Sequence, residues 1–338
     1  MTTSPPPQPP APATVQEIAD GILWVRMPLP FALDHVNLWV LRDQSGWALV
    51  DTGMADDATR GLWERLLAGP LGGLPIQRVI CTHFHPDHMG LAGWLTERFA
   101  VPLTTTFGEW CTGRMRWLDD GPDFRAHMVE HFRRAGYGPD FLRHVGDTGN
   151  TYRPRVSPPP LSFRRIGEGD RLTIGGRAWQ IMACGGHSPE HACLWCPDAG
   201  ILIAGDQILP RISPIVSVWA QEPEGDPLSR FLASLDRLAA LPEDTLALPS
   251  HDQPFRTVRQ RCASLHAHHR DRLERTREAC RQPATALEVL RTLFRRPLDA
   301  HQTAFATAET LAHLNHLVSL GAVGRLVDDT GVWLYQAT

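Results

Sequence analysis

The sequence predicts an α/β protein in which two β-sheets pack face to face with helices outside, and three observations carry that expectation. Strand-like apolar segments fall into two successive groups, each closed by segments of helical pattern. Several of the strands run directly into histidine or aspartate. The chain has 338 residues, enough for one large core with an appended module or for two domains.

Met1 to Ala13 is dominated by proline and has neither a basic start nor an apolar run. It reads as a disordered tail, extended to residues 1–15, rather than as a secretory signal. Ile22 to Leu29, Asn37 to Arg42 and Trp47 to Val50 are rich in apolar and β-branched residues and are separated by short Gly, Asp or Pro segments, as adjacent strands are. Asp56 to Ala68 reads as a helix, because Leu62, Trp63, Leu66 and Leu67 recur at helical spacing and Gly69-Pro70 stops it. Ile76 to Thr82 is a strongly apolar strand leading into His83-Phe84-His85-Pro86-Asp87-His88, and Met89 to Phe99 follows as a helix. The histidine run therefore sits on a strand-to-helix loop.

Phe107 to Asn150 is helical in pattern and carries Trp110, Met115, Trp117, Phe124, Met128, Phe132 and Tyr137; Pro158-Pro159-Pro160 ends it, so residues of about 104–160 form a helical insertion. Strands follow at Arg171 to Ile174, Ala178 to Ala183, Ala192 to Cys196 and Ile201 to Ala204, then a helix at Pro227 to Ala240 and a strand at Thr245 to Leu248. These elements make residues 16–256 one catalytic domain. Residues 257–338 read as a small appended domain, with helices at Thr257 to Cys280, Thr285 to Phe294 and Thr303 to Leu320 and a hairpin from Val323 to Val327 and Val332 to Tyr335.

Composition narrows the function classes. No apolar run approaches the roughly 20 residues needed to span a bilayer, so no membrane association is expected. Seven scattered cysteines, an odd number, argue against a disulfide framework and for the reducing cytoplasm. All 33 basic side chains are arginine, a bias of the source genome, and the net charge of −4 gives no global attraction to nucleic acid.

His83, His85, Asp87 and His88 form an H-x-H-x-D-H pattern that carries the chemistry. Imidazoles at 83 and 85 can converge on one cation from a loop while Asp87 and His88 face a neighbouring position, a donor mixture suited to divalent metals. Three further polar residues end or follow strands: His187 in Gly186-His187-Ser188-Pro189, Asp206 after Ala204-Gly205, and His251 after Pro249-Ser250. Singly each is an ordinary loop histidine or cap aspartate; with the histidine run they become candidates for the rest of a metal site.

In these motifs, with Val50-Asp51-Thr52-Gly53 before them, the chain resembles the metallo-β-lactamase-fold hydrolase superfamily from about Ile18 to His251. The resemblance implies a four-layer αββα sandwich binding two divalent ions, zinc first, with iron or manganese as alternatives. It implies that His83, His85 and His187 hold one ion, that Asp87, His88 and His251 hold the other, and that Asp206 and a hydroxide bridge them. Asp51 would orient ligands from behind, and Asp87 would carry a proton to the leaving group. Aspartate at the bridge and histidine at the last position point to the hydroxyacylglutathione-hydrolase-like or lactonase-like branch, acting on an ester, thioester or lactone. Residues after about Arg259 resemble the winged-helix-like domain of one branch, which also contains nucleases of single-stranded RNA.

The remaining candidates divide between structure and substrate. Arg211 is either a surface arginine or a clamp for a substrate carboxylate or phosphate. The insertion's aromatic residues, Trp110, Trp117 and Tyr137 among them, are either core or the inner face of a lid over a small substrate with an apolar acyl part. His191 belongs beside the site, Cys193 and Cys196 in the core, and His266, His268 and His269 on a helix face. Between Arg256 and Arg296 eleven arginines stand against four acids, which keeps RNA cleavage as the alternative activity. The helix from Thr303 to Leu320 has no arginine for a nucleic-acid groove, so packing or homodimerisation is the expected role of the C-terminal module.

Overall fold

Strands β1 (Gln16–Ala19), β2 (Ile22–Pro28), β3 (His35–Asp43) and β4 (Gly46–Val50) run antiparallel at the start of a seven-stranded sheet. The structure, a computed structural model, describes residues 8–338. Helix α1 (Asp57–Ala68) crosses over to β5 (Ile76–Ile80), which pairs parallel with β4. After α2 (Pro86–Met89) and α3 (Ala92–Phe99) comes β6 (Leu103–Thr105), and beyond the insertion of α4 (Phe107–Leu118), α5 (Pro122–Arg134) and α6 (Pro139–Thr148) comes β7 (Phe163–Arg165), both again parallel.

The second sheet repeats the plan. Strands β8 (Arg171–Ile174), β9 (Arg177–Cys184), β10 (His191–Cys196) and β11 (Ile201–Gly205) are antiparallel, and α7 (Pro227–Ala239) crosses to β12 (Leu246–Pro249), parallel to β11. The C-terminal region holds α8 (Val258–Ala279), β13 (Ala284–Thr285), α9 (Ala286–Leu293), α10 (Ala300–Ser319), β14 (Val323–Val327) and β15 (Trp333–Ala337), with a small sheet of order β13-β15-β14.

Alternation along the strands sets the layers, because successive side chains face opposite ways. On β3, Val36, Leu38 and Val40 pack with Trp63 and Leu66 of α1 and Leu95 of α3, whereas Trp39 and Leu41 pack with Trp179, Ile181, Leu194 and Ile203 of the second sheet. That second sheet turns Met182, Cys184, Leu202 and Ala204 outward onto Leu228, Phe231 and Leu235 of α7. The order is helix, sheet, sheet, helix, as expected. Strands buried on both faces read as continuous apolar runs, which makes them visible in the sequence.

The C-terminal elements share this outer cluster. Cys262 and Leu265 of α8 and Leu311 and Leu314 of α10 lie in one continuous core with Phe231 and Leu235. The insertion spans two regions: Trp110 and Trp117 of α4 rest against the first sheet's cluster, while Phe132 and Tyr137 join the C-terminal one. Among the described residues, no helix is long and apolar enough to cross a membrane.

Three expectations need correction. The helix expected over Met89 to Phe99 is divided at Gly90, where a Cβ would come within 2.2 Å of the Pro86 carbonyl and 2.4 Å of the Gly53 carbonyl. Strands β1, β6, β7 and β13 were not foreseen, being two to four residues long and so without a readable period. Residues 1–7 of the expected tail lie outside the described residues, but Ala13 and Val15 pack against the first sheet's cluster, so that boundary is drawn too late. All seven cysteines are unpaired, in keeping with the absence of a disulfide framework.

Candidate metal centre

The parallel pairs β4/β5 and β11/β12 bring four strand ends to one edge of the sandwich, the usual place for a site in sheets of this kind. Asp51 follows β4 in the left-handed region (φ 66°). The loop from His83 to His88 follows β5, Asp206 follows β11 and His251 follows β12, while His187 lies between β9 and β10. Gly205 allows the turn into Asp206: its φ is 52°, and a Cβ there would lie 2.4 Å from His191 Nε2. The strand start at β3 binds the last loop, since buried Asn37 donates to the Pro249 carbonyl at 3.0 Å.

The ligand atoms converge in two groups. His83, His85, His187 and Asp206 form one, and Asp87, His88 and His251 the other, each within 4.8 Å. In the first, His83 Nε2 lies 2.9 Å from His85 Nδ1 and 3.2 Å from His187 Nε2. In the second, Asp87 Oδ2 lies 3.4 Å from His88 Nε2 and 3.5 Å from His251 Nε2. Asp206 stands between them, 3.5 Å from His187, 3.6 Å from His88 and 3.4 Å from His251.

The far nitrogens of three of these rings are held. His88 Nδ1 meets Asp51 at 2.8 Å, His187 Nδ1 meets the Ile215 carbonyl at 2.9 Å, and His251 Nδ1 meets the His35 carbonyl at 2.8 Å. Asp51 in turn accepts from the Thr82 backbone N–H at 2.7 Å and from the Thr82 hydroxyl at 2.8 Å. Such anchoring sets the tautomer and aims the free nitrogen at a cation. Asp51 thus joins His88 to the Thr82 backbone and hydroxyl. His191 also stands beside the site, its Nε2 accepting from the Asp206 N–H at 3.2 Å.

Electrostatics divides the groups as the distances do. Burial, reinforced by neighbouring imidazoles, holds His83 and His85 far below the ordinary histidine range, so both are neutral donors. Burial also opposes charge on His88 and His251, but Asp87 and Asp206 outweigh it and raise both rings. Asp87 is held down to about 2 by His88 and His251 against the effect of burial.

These residues fit divalent ions. His88 Nε2 and Asp206 Oδ1 are buried without a hydrogen-bond partner, an expensive condition unless something else meets them. Ring nitrogens of His85 and His187 lie within 3.2 Å of one on His83, and burial keeps these rings from carrying charge. Nitrogen and carboxylate donors of this kind accommodate zinc, iron or manganese.

One residue of the site was missed in the sequence. Glu109, fully buried on α4, accepts from the Phe84 N–H at 2.9 Å, the Ser188 hydroxyl at 2.7 Å and the Glu190 N–H at 2.7 Å. It ties the His83–His88 loop to the His187 loop. Burial pushes its carboxyl up to about 7. An acid one position before Trp110, in an apolar helix, was the available signal. Glu190 accepts from the Gly108 N–H at 2.7 Å and so steadies the start of α4.

The expected substrate residues are placed elsewhere. Arg211 is exposed and forms an ion pair with Asp252. Trp110 stacks on Phe163 and donates to the Pro160 carbonyl at 3.0 Å, and Trp117 donates to the Val156 carbonyl at 3.2 Å. Tyr137 bonds Thr307 at 2.6 Å and stacks on Phe141. None of the three aromatic residues lines the cavities that reach His85 and His187. Instead Phe124, Met128, Phe132 and Phe141 of the insertion, with Ala304 and Phe305 of α10, line a cavity of about 290 Å³ that reaches His85. His266 pairs with Asp236 and His269 lies 3.2 Å from His313, so the histidines of α8 are likewise structural.

A sandwich of this order with paired His/Asp clusters at its strand ends defines a metallohydrolase. Residues 32–251 match the Metallo-beta-lactamase superfamily and residues 273–338 match the family described as Metallo-beta-lactamase-like, C-terminal domain. The chain belongs to the metallo-beta-lactamase superfamily. It is 27% identical over 318 residues to the probable metallo-hydrolase YqjP of Bacillus subtilis strain 168, covering 90% of this chain and 94% of that one. It is 24% identical to a hydroxyacylglutathione hydrolase of Albidiferax ferrireducens, with 70% and 69% covered. A beta-lactamase domain protein of Burkholderia ambifaria shares 43% identity and a TM-score of 0.87 over 100% of this chain and 96% of that one. A metallo-beta-lactamase family protein of Thermus thermophilus shares 34% and a TM-score of 0.81, with 95% and 100% covered.

Proposed function

We propose that this protein is a binuclear metal-dependent hydrolase of an ester, thioester or lactone whose apolar acyl part enters the cavity beside His85. The observation that carries the reading is Asp206, a single carboxylate within 3.6 Å of ring nitrogens from both ligand groups. Two divalent cations, zinc before iron or manganese, fit the donor set. When bound, such ions polarise a carbonyl and make water a nucleophile near neutral pH.

The chain's own residues do the rest. His83, His85 and His187 hold the first position, Asp87, His88 and His251 the second, and Asp51 fixes the tautomer of His88. Asp87 keeps 20% of its side chain exposed at the second position, which gives it access to the leaving oxygen or sulfur as a proton carrier. The relative named hydroxyacylglutathione hydrolase supports a thioester among the substrates. Unpaired thiols favour the cytoplasm as the compartment.

RNA cleavage draws less support. Arg261 donates to the Leu209 and Ile212 carbonyls, Arg272 and Arg275 donate to the Leu293 carbonyl, and Arg281 pairs with Glu278. These arginines of α8 and its end serve packing rather than a phosphate track. Metal-loaded protein is expected to hydrolyse members of a panel of acyl thioesters, esters and lactones, and His83→Ala to abolish the reaction. A fully metallated protein inert on the whole panel would defeat the reading.

A further inference from the structure

The cavity beside His85 contains an unsatisfied positive charge. Arg116 of α4 has its Nε buried with no hydrogen-bond partner, and no carboxylate lies within ion-pair distance of its guanidinium among the described residues. Its neighbours are aromatic faces instead: Cζ is 5.2 Å from the Phe84 ring centroid and 4.4 Å from that of Trp219. A buried cation without a counter-ion is costly, and burial pulls this guanidinium down to about 10.

The lining of this cavity contains no acid. Arg155 shares it with His131, His144 and His301, of which burial holds His131 down to about 4 and lowers His301, and no aspartate or glutamate there offers Arg116 a counter-ion. A second cavity of about 150 Å³, which reaches His187, has Phe84, Arg116, Trp219 and Gln221 as a common wall with the first. Phe84 touches both sides, its ring centroid lying 5.2 Å from Arg116 Cζ and 4.5 Å from the His85 centroid.

We propose that Arg116 is an oxyanion-binding residue of the substrate site, so that the preferred substrate is amphiphilic, with a carboxylate, sulfate or phosphate held at Arg116 and an apolar chain beneath α5, α6 and α10. This deepens the hydrolase reading and rests on it for the word substrate. Trp219 and Phe84 fix the plane of the guanidinium, leaving its donor edge for an oxyanion, and the aromatic and alanine lining receives the chain.

Binding of octane-1-sulfonate and octan-1-ol to the metal-loaded protein, measured by calorimetry, tests the proposal with a probe that cannot be hydrolysed at an acyl carbon. The sulfonate is expected to bind about tenfold tighter or more, from charge-assisted hydrogen bonds. Arg116→Gln is expected to remove that preference, Arg116→Lys to retain part of it, and Arg211→Gln, which breaks only the exposed pair with Asp252, to leave it intact. Equal binding of the two probes, or a preference unchanged in Arg116→Gln, overturns the proposal; so does equal loss in Arg116→Lys and Arg116→Gln. Octyl phosphate and octanoate, run as further arms, identify the preferred head group. An inert substrate panel with intact sulfonate binding would defeat the hydrolase reading alone.

Discussion

The floor and the roof of the site are built on opposite principles. The floor consists of strand ends from both sheets, where Asp51, itself held by Thr82, fixes His88, and Asn37 and the His35 carbonyl fix His251 and its loop. The roof is a three-helix insertion and α10, with apolar side chains from α5, α6 and α10 and Arg116 of α4 in their midst. The difference shows where chemistry and selectivity reside. Rigid strand ends hold donors to within the tolerance a cation demands, whereas helices over a cavity can vary one side chain without disturbing the ligands.

The largest break of the floor is Asp206→Ala. Removing the shared carboxylate leaves His88, His187 and His251 facing a gap, and metal content and hydrolysis are both expected to fall by ~10²-fold or more, read by metal analysis and a rate assay. Acid comes next. Because His88 and His251 are raised, the metal-free protein carries protons there at pH above 6.5, and an incoming cation must displace them. Metal affinity is therefore expected to rise by about tenfold or more per pH unit through neutrality, with proton release measurable in weak buffer. Affinity independent of pH there would contradict the assignment.

A smaller effect is expected at the seam between floor and roof. Glu109→Gln puts an amide against three donors, of which it can satisfy only part, so the two ligand loops lose a common anchor. The expected result is a thermal destabilisation of about 1–3 kcal/mol with a modest loss of metal affinity. In the roof, Met128→Trp fills part of the cavity. It is expected to leave metal content unchanged and to lower kcat/KM for the longest acyl chains by about tenfold relative to short ones.

The same contrast explains what the sequence disclosed. His83 to His88 is a contiguous pattern on one loop, and its donors are legible because their spacing along the chain is their spacing in space. His187, Asp206 and His251 were legible as polar ends of apolar strands, and the resemblance to a family grouped them. Glu109 was not, because its importance lies in contacts with residues 25 and 81 positions away. Arg116 escaped notice for a related reason: one arginine among 33 basic residues is marked only by the lack of a partner after folding. The aromatic positions of the insertion left core and lid open, and Trp110, Trp117 and Tyr137 could not be told from Phe124 and Phe132 until α10 supplied the opposite wall.

The most direct test of the shared site is a titration of metal-free protein with zinc, following bound metal and hydrolysis in the same samples. The account predicts uptake of two equivalents per chain, activity that reaches its plateau with the second, and loss of both features in Asp206→Ala. Full activity at one equivalent or none, or an Asp206→Ala protein that still binds two, would contradict it.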